Sequence, residues 1–68
     1  MKVRLNDTEH TVAPGTTIAG IITDEDPANA NFSILMVFRN GNQVRRSEYA
    51  TLLAENDHIE TMKAAAGG

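Results

Sequence analysis

The chain has 68 residues, a formal net charge of −3, six scattered Lys and Arg residues and no cysteine. A domain of this length buries only about 60% of the surface that its unfolded chain exposes, which leaves little room for a deep catalytic pocket. The lack of cysteine excludes disulfide bonds and thiolate metal sites, and the acidic charge without a basic cluster argues against nucleic-acid binding.

No apolar stretch approaches the roughly 20 residues of a membrane span, and the charged start, MKVRLNDTEH, lacks the apolar segment of a secretory signal. We therefore expect a cytoplasmic protein with no membrane contact. His10 and His58 each lack a suitably spaced second ligand, so no metal site is predicted.

The start of the chain predicts a hairpin. Polar and apolar residues alternate over KVRLN (2–6), which is typical of a strand with one buried side, and HTVA (10–13) can return as a second strand. After a Pro-Gly break, Thr16 or Thr17 suits the N-cap of a helix.

That helix has an apolar stripe. Ile18, Ile21 and Ile22 are spaced three and four apart, which places them on one helical face. β-branched residues are mediocre helix formers, so packing on a sheet must hold the helix in place. The acidic stretch DEDPANAN (24–31) contains a proline and predicts a surface loop that ends the helix.

The most apolar run, SILMVF (33–38), suits a central strand. Alternation places Leu35 and Val37 toward the helix and Met36 and Phe38 on the opposite face, although a reversed phase would place Phe38 in the core. An apolar patch on an open sheet face indicates a protein partner.

The remaining elements are short. Asn40-Gly41 predicts a tight hairpin turn, and NQVR (42–45) predicts the return strand. SEYATLL (47–53) predicts a helical turn with Ser47 as its cap, and a last strand covers 57–62. Met62 would join the apolar patch.

This order of elements predicts an α+β fold of the β-grasp (ubiquitin-like) type, with a mixed sheet of four to five strands and one main helix packed on one face. Residues 1–62 would form the β-grasp domain, and residues 63–68 (KAAAGG) a flexible C-terminal tail that ends in Gly-Gly. Taken alone, KAAAGG is equally consistent with a helix end or a frayed terminus.

The second half, RNGNQVRRSEYATLLAENDHIETMKAAAGG, resembles the small sulfur-carrier proteins of the ubiquitin-like ThiS/MoaD family. That family typically shows an Asn-Gly turn, then Val, Arg, an aromatic residue, Leu and Asp, and a final strand that leads into a terminal Gly-Gly. The matching positions are Asn40, Gly41, Val44, Arg46, Tyr49, Leu53, Asp57, Ile59, Gly67 and Gly68. The resemblance covers most of the chain apart from 24–31, and the alanines before the glycines are smaller than the residues often found there.

The resemblance implies a carrier and not an enzyme. A separate ThiF-like adenylating enzyme would use ATP on the Gly68 carboxylate, and a sulfur donor protein would convert the product to a thiocarboxylate. A downstream thiazole-synthase-like enzyme would then receive the sulfur for thiamine biosynthesis. The carrier itself would bind no cofactor and would be a monomer when free.

The same resemblance implies which residues are functional. Gly68 would carry the sulfur, with Gly67 next to it, and the carrier would dock through the open face of its sheet. The residues expected to contact the partner enzyme are Met36, Phe38, Met62, Lys63, Ala64, Ala65 and Ala66.

Other functions share these features. The sulfur could serve molybdopterin or sulfur amino-acid synthesis instead of thiazole formation. A ubiquitin-like modifier would use the same activation of Gly68 and end in an amide to a lysine. A non-covalent β-grasp binding module would use the sheet face alone and would not need the glycines.

Overall fold

Two hairpins, one helix and a final strand make up the computed structural model of the protein, which describes residues 1–63. The strands are β1 (Lys2–Leu5), β2 (Thr8–Thr11), β3 (Leu35–Arg39), β4 (Asn42–Val44) and β5 (His58–Lys63). The helix α1 spans Ile18–Glu25, and short 3-10 turns cover Pro27–Asn29 and Arg46–Glu48.

The five strands form one mixed sheet in the order β2-β1-β5-β3-β4. β5 lies in the centre, parallel to β1 and antiparallel to β3, whereas each hairpin pairs internally in antiparallel fashion. The predicted α+β, β-grasp arrangement with a mixed sheet and one main helix is therefore confirmed.

The helix α1 begins where the sequence predicts. The Thr17 side chain accepts a hydrogen bond from the Gly20 backbone N–H at 3.0 Å, as an N-cap residue does. Ile18, Ile21 and Ile22 are each at most 1% exposed, so the predicted stripe is the buried face. None of the helices within residues 1–63 is long and apolar enough to traverse a bilayer.

The core lies between α1 and one face of the sheet. Its buried apolar residues are Val3, Leu5, Ile18, Ile21, Ile22, Leu35, Val37, Val44, Leu53 and Ile59. In β3, Leu35 and Val37 are buried and Met36 and Phe38 are only half-buried, so the predicted phase of this strand is correct. The reversed phase, with Phe38 in the core, is excluded.

Two elements in the first half differ from the prediction. β2 starts at Thr8 because residues 6 and 7 alone form the turn, with Asn6 at a positive φ of 53°. The stretch 24–31, predicted as a loop, contains the end of α1 and the turn Pro27–Asn29. Proline suits the first position of such a turn, where no N–H is needed.

Several boundaries in the second half also differ, since β3 covers Leu35–Arg39 and not 33–38, and β4 ends one residue earlier than predicted. The helical turn starts at Arg46 and not after a Ser47 cap, because the Glu48 side chain accepts from the Arg45 backbone N–H at 3.0 Å and closes the turn earlier. Lys63, which the sequence assigns to the tail, is the last residue of β5 and pairs with Leu35.

The β3–β4 hairpin contains the predicted two-residue turn. Asn40 and Gly41 both have positive φ, 51° and 87°, and Arg39 pairs directly with Asn42. Positive φ at both central positions matches the right-handed twist of the flanking strands. Glycine and asparagine tolerate this conformation better than other residues, which explains their presence here.

Asp57 is a buried carboxylate that ties this turn to the start of β5. It accepts hydrogen bonds from the Ala54 backbone N–H (2.8 Å) and the Asn40 side-chain amide (3.0 Å), and its other contact is an ion pair with Arg39 (2.7 Å). Asn40 also accepts from the His58 backbone N–H at 2.9 Å. The carboxylate thereby joins two loops that lie far apart in sequence.

Burial by itself raises the pKa of Asp57, but the hydrogen bonds from Ala54, Asn40 and Arg39 and the Arg39 charge outweigh it. The net effect lowers the pKa of Asp57 below its ordinary value. Since the folded state holds the ionised form more strongly than the unfolded chain does, ionised Asp57 stabilises the fold.

We expect Asp57→Asn to lower the free energy of unfolding at neutral pH by about 2 kcal/mol, because Arg39 loses its buried ion-pair partner. Urea unfolding followed by circular dichroism measures the change. Asp24→Asn, at an exposed position of α1, is the matched control and should change stability by less than about 0.5 kcal/mol. Equal effects of the two variants would contradict this role of Asp57.

The same variant predicts a pH dependence. The stabilisation from Asp57 is present above the pKa of an unfolded aspartate, about 4, and is lost as the pH falls through the lower folded value. Below pH 4 the wild type should therefore lose stability more steeply than Asp57→Asn does. Parallel stability curves for the two proteins in acid would contradict the lowered pKa of Asp57.

Candidate functional site

Three apolar side chains predicted to contact a partner lie together on the open face of the sheet. Met36 in β3 is the register partner of Met62 in β5, and Phe38 pairs with Glu60 two positions along. Residues two apart in a strand share a face, so Met36, Phe38 and Met62 lie side by side. We call these three residues the apolar patch.

The core on the other side of the sheet determines which way the patch faces. Val37 and Ile59 are both fully buried under α1, and they alternate with the patch residues in β3 and β5. A slip of one residue in either strand would expose a core residue, so the phase of both strands is strongly fixed.

The patch is accessible. Met62 is 60% exposed, and Met36 and Phe38 are half-buried. An exposed thioether beside a partly exposed aromatic ring provides adaptable apolar contact area, and the exposed Glu60 carboxylate lies at its edge, opposite Phe38. This suits the patch to a protein interface.

The rest of the open face is polar. At the opposite end of β5, His58 pairs with Arg4 of β1, which in turn pairs with Glu9 of β2. Glu9 also forms an exposed ion pair with Lys2 at 3.9 Å, a contact that contributes little to stability. Apolar character is therefore concentrated near the C-terminal end of β5.

The other predicted partner contacts have different placements. Lys63 is exposed but follows Met62 in β5, so alternation directs it to the side of the sheet opposite the patch. The predictions for Ala64, Ala65, Ala66, Gly67 and Gly68 lie outside the described residues.

Tyr49 contacts the start of β3 and the residues just before it. Its hydroxyl donates to the Leu35 carbonyl oxygen at 3.3 Å, and its ring packs against Phe32 with the ring centroids 5.5 Å apart. Arg46 donates to the Phe32 carbonyl oxygen at 3.3 Å. Tyr49 and Arg46 are two of the positions that carried the family resemblance, and the structure gives them a role in positioning β3.

Asn6 and Thr61 form a contact that the sequence does not predict. The Thr61 backbone N–H donates to the Asn6 side-chain oxygen at 3.0 Å, and the Asn6 side-chain nitrogen donates to the Thr61 hydroxyl at 3.1 Å. We call this pair the Asn6 bracket. An asparagine in a two-residue turn predicts a positive φ, but no local signal points to a partner 55 positions away.

Comparison with known proteins identifies a fold. No protein-family model matches the chain, and no curated protein matches it. Among solved structures, the thiamine biosynthesis protein ThiS from Geobacter metallireducens matches with a TM-score of 0.77 and 22% sequence identity, over 100% of both chains. Residues 1–63, which the structure describes, therefore have a ThiS-like fold.

The accessibility of the patch predicts an order of oxidation. Hydrogen peroxide should convert Met62 to its sulfoxide faster than Met36, because thioether oxidation follows solvent exposure. Peptide mass spectrometry of the folded protein over a time course measures both rates. In denaturant the two rates should become equal, and faster oxidation of Met36 in the folded protein would contradict the placement of Met62.

Proposed function

We propose that the protein is a sulfur carrier whose Gly68 carboxylate is adenylated by a ThiF-like enzyme and converted to a thiocarboxylate. The observation that carries the proposal is the ThiS-like fold over the full length of both chains. The sequence adds a Gly-Gly at the end of the segment that follows β5.

The chemistry needs only a free carboxylate from the carrier. An oxygen of the Gly68 carboxylate attacks the α-phosphorus of ATP, pyrophosphate leaves, and an acyl-adenylate forms. A hydrosulfide, or a sulfur donor protein that delivers its equivalent, then attacks the acyl carbon and AMP leaves. The product is a thiocarboxylate, whose sulfur is a good nucleophile. The partner enzymes perform these steps, so the carrier is a substrate and not a catalyst.

The composition of the C-terminal segment suits entry into an enzyme. Alanine and glycine add little width, and glycine lets the backbone approach a reacting group closely. The five residues after Lys63 span at most about 18 Å when extended, which is enough to reach a recessed site from a docked domain. The chain has no cysteine, so it cannot carry sulfur as a persulfide on its own side chain.

The apolar patch supplies the docking surface in this proposal. It lies at the C-terminal end of β5, so a partner that covers Met62 also lies close to the point where the chain continues toward Gly68. A single partner surface can therefore hold the domain and receive its C-terminal segment. The polar part of the face, around Arg4 and His58, would then lie at the rim of the interface.

We assign the sulfur to thiazole formation in thiamine biosynthesis, with a thiazole-synthase-like enzyme as its acceptor. The support is the structural likeness to a protein of thiamine biosynthesis. The reaction would take place in the cytoplasm, with ATP bound by the adenylating enzyme and the free carrier a monomer.

Deletion of Gly68 tests the role of the carboxylate. With the ThiF-like enzyme of the source organism, the wild type should support ATP–pyrophosphate exchange. With the deletion variant the exchange should fall to background, because the terminal carboxylate then belongs to Gly67 and lies one residue short of its reacting position. The melting temperature should stay unchanged, since the deleted residue lies outside the β-grasp domain. Equal exchange with both proteins would contradict the proposal.

A pair of variants tests the docking face. Met62 and Leu52 are almost equally exposed, 60% and 59%, but only Met62 belongs to the patch. In ATP–pyrophosphate exchange with the ThiF-like enzyme, Met62→Asp should raise the KM for the carrier about tenfold, because it places a charge in an apolar contact.

Leu52→Asp is the matched control and should leave the KM of the carrier within about twofold of the wild type. Both variants should remain folded, because each side chain is already exposed. If Leu52→Asp impairs the reaction as much as Met62→Asp does, the docking face lies elsewhere on the domain.

A further inference from the structure

β5 extends beyond the end of its neighbour β1. The parallel pairing of these strands ends at Leu5 and Ile59, whereas β5 continues to Lys63. On its other edge β3 accompanies β5 all the way, with Leu35 opposite Lys63. Within residues 1–63, the last part of β5 therefore has a strand neighbour on only one side.

The Asn6 bracket occupies the edge that β1 leaves open. In a continuing parallel ladder, a backbone carbonyl would accept the Thr61 N–H. Asn6 has a φ of 53°, which turns the backbone away from β5, and its side-chain oxygen takes the place of that carbonyl at 3.0 Å. The second bond, to the Thr61 hydroxyl at 3.1 Å, fixes the rotation of the Asn6 amide.

Asn6 is itself held rigidly. Its backbone N–H donates to the Ile59 carbonyl oxygen at 2.8 Å. The Nε2 atom of His58 lies 2.9 Å from the Asn6 carbonyl oxygen, and because a carbonyl can only accept, this ring nitrogen carries the proton. The backbone and side chain of Asn6 thus form hydrogen bonds to three residues of β5, namely His58, Ile59 and Thr61.

The bracket also determines the direction of the residues that follow. It holds the backbone of Thr61 in strand conformation, with its hydroxyl toward Asn6. Alternation then directs Met62 toward the open face, into the apolar patch. Without the bracket, β5 beyond Glu60 would be held by β3 alone.

We propose that Asn6 is a positioning residue for activation of the carrier, an inference that rests on the proposed function. Asn6 holds Thr61–Lys63 as a strand and so fixes the position and direction from which the chain continues toward Gly68. A reacting group that is held near its productive geometry loses less entropy on the way to the transition state. The bracket therefore raises the rate of adenylation after docking, whereas the patch determines docking itself.

A structural role in the turn alone does not require these bonds. Asn56 also has a positive φ, 68°, yet its side chain makes no hydrogen bond within the part of the chain that the structure describes. Asparagine at such a position is explained by conformation alone. At Asn6 the positive φ and the hydrogen bonds of the bracket occur together, and substitutions can remove the bonds while they keep the φ.

Three variants separate them. Asn6→Gly removes the bracket and keeps the positive φ, which glycine adopts without strain. Asn6→Asp keeps an acceptor for the Thr61 N–H, and the Thr61 hydroxyl can rotate to donate to the second carboxylate oxygen. Asn56→Gly is the matched control, since it makes the same change at a turn residue without the bracket.

The first measurement is amide hydrogen exchange of the protein alone. The Thr61 N–H should exchange about tenfold faster in Asn6→Gly than in the wild type, through loss of one hydrogen bond. Exchange in Asn6→Asp and in Asn56→Gly should stay close to the wild type, and the amides of α1 should be unaffected in all variants.

The second measurement is ATP–pyrophosphate exchange with the ThiF-like enzyme, at a temperature where every variant is folded. For Asn6→Gly we expect kcat to fall about tenfold and the KM of the carrier to stay within about twofold, because docking is intact and alignment is lost. Asn6→Asp should restore most of kcat. This pattern is the reverse of the raised KM expected for Met62→Asp.

An unchanged kcat in Asn6→Gly despite faster Thr61 exchange overturns the positioning role, and so does unchanged Thr61 exchange. A fall in kcat of the same size in Asn56→Gly also overturns it. If the wild type supports no exchange of pyrophosphate, the proposed function fails, and the positioning role fails with it. Hydrogen exchange at Thr61 then still shows whether the bracket holds β5.

Discussion

The parallel pairing of β1 with β5 joins the start of the chain to its last strand, and the rest of the structure depends on it. Leu5 lies opposite Ile59 in this pairing, and both are buried under α1. Once β5 lies in the centre, β3 and β4 can pair on its other edge and the helix can cover one continuous apolar face. The opposite face carries the apolar patch, part of which lies on β5 near the point where the chain continues toward Gly68.

Local chemistry explains which parts of the fold the sequence predicts. The Asn40-Gly41 turn and the stripe of Ile18, Ile21 and Ile22 are predictable because each depends on neighbouring residues only. Two boundaries are not predictable in this way. The start of β2 depends on which of several nearby polar residues form the two-residue turn. The start of the 3-10 turn at Arg46–Glu48 depends on a single hydrogen bond from the Arg45 backbone to the Glu48 side chain. Such local competition shifts element boundaries, and within 24–31 it also changes the element type, because the turn Pro27–Asn29 forms where a loop was predicted.

The candidate site likewise has a part that the sequence predicts and a part that it does not. The apolar patch follows from strand alternation once β3 is given its phase, so Met36, Phe38 and Met62 can be grouped from the sequence alone. Contacts that hold this site in place join distant positions and leave no local pattern. Asn6 reaches Thr61, and Asp57 joins the β3–β4 turn to β5, through side chains that a sequence presents as ordinary turn and surface residues. Only the fold shows that they are partners.

The intact mass of the untagged protein, purified from its native cells, tests the central claim most directly. The account predicts a fraction of molecules heavier by one oxygen-to-sulfur exchange, with the change located at Gly68 by fragmentation. Alkylation of the new sulfur should shift that fraction and leave the remainder unchanged. A population that ends only in plain carboxylate, in cells that are actively making the sulfur-containing product, would contradict the carrier function.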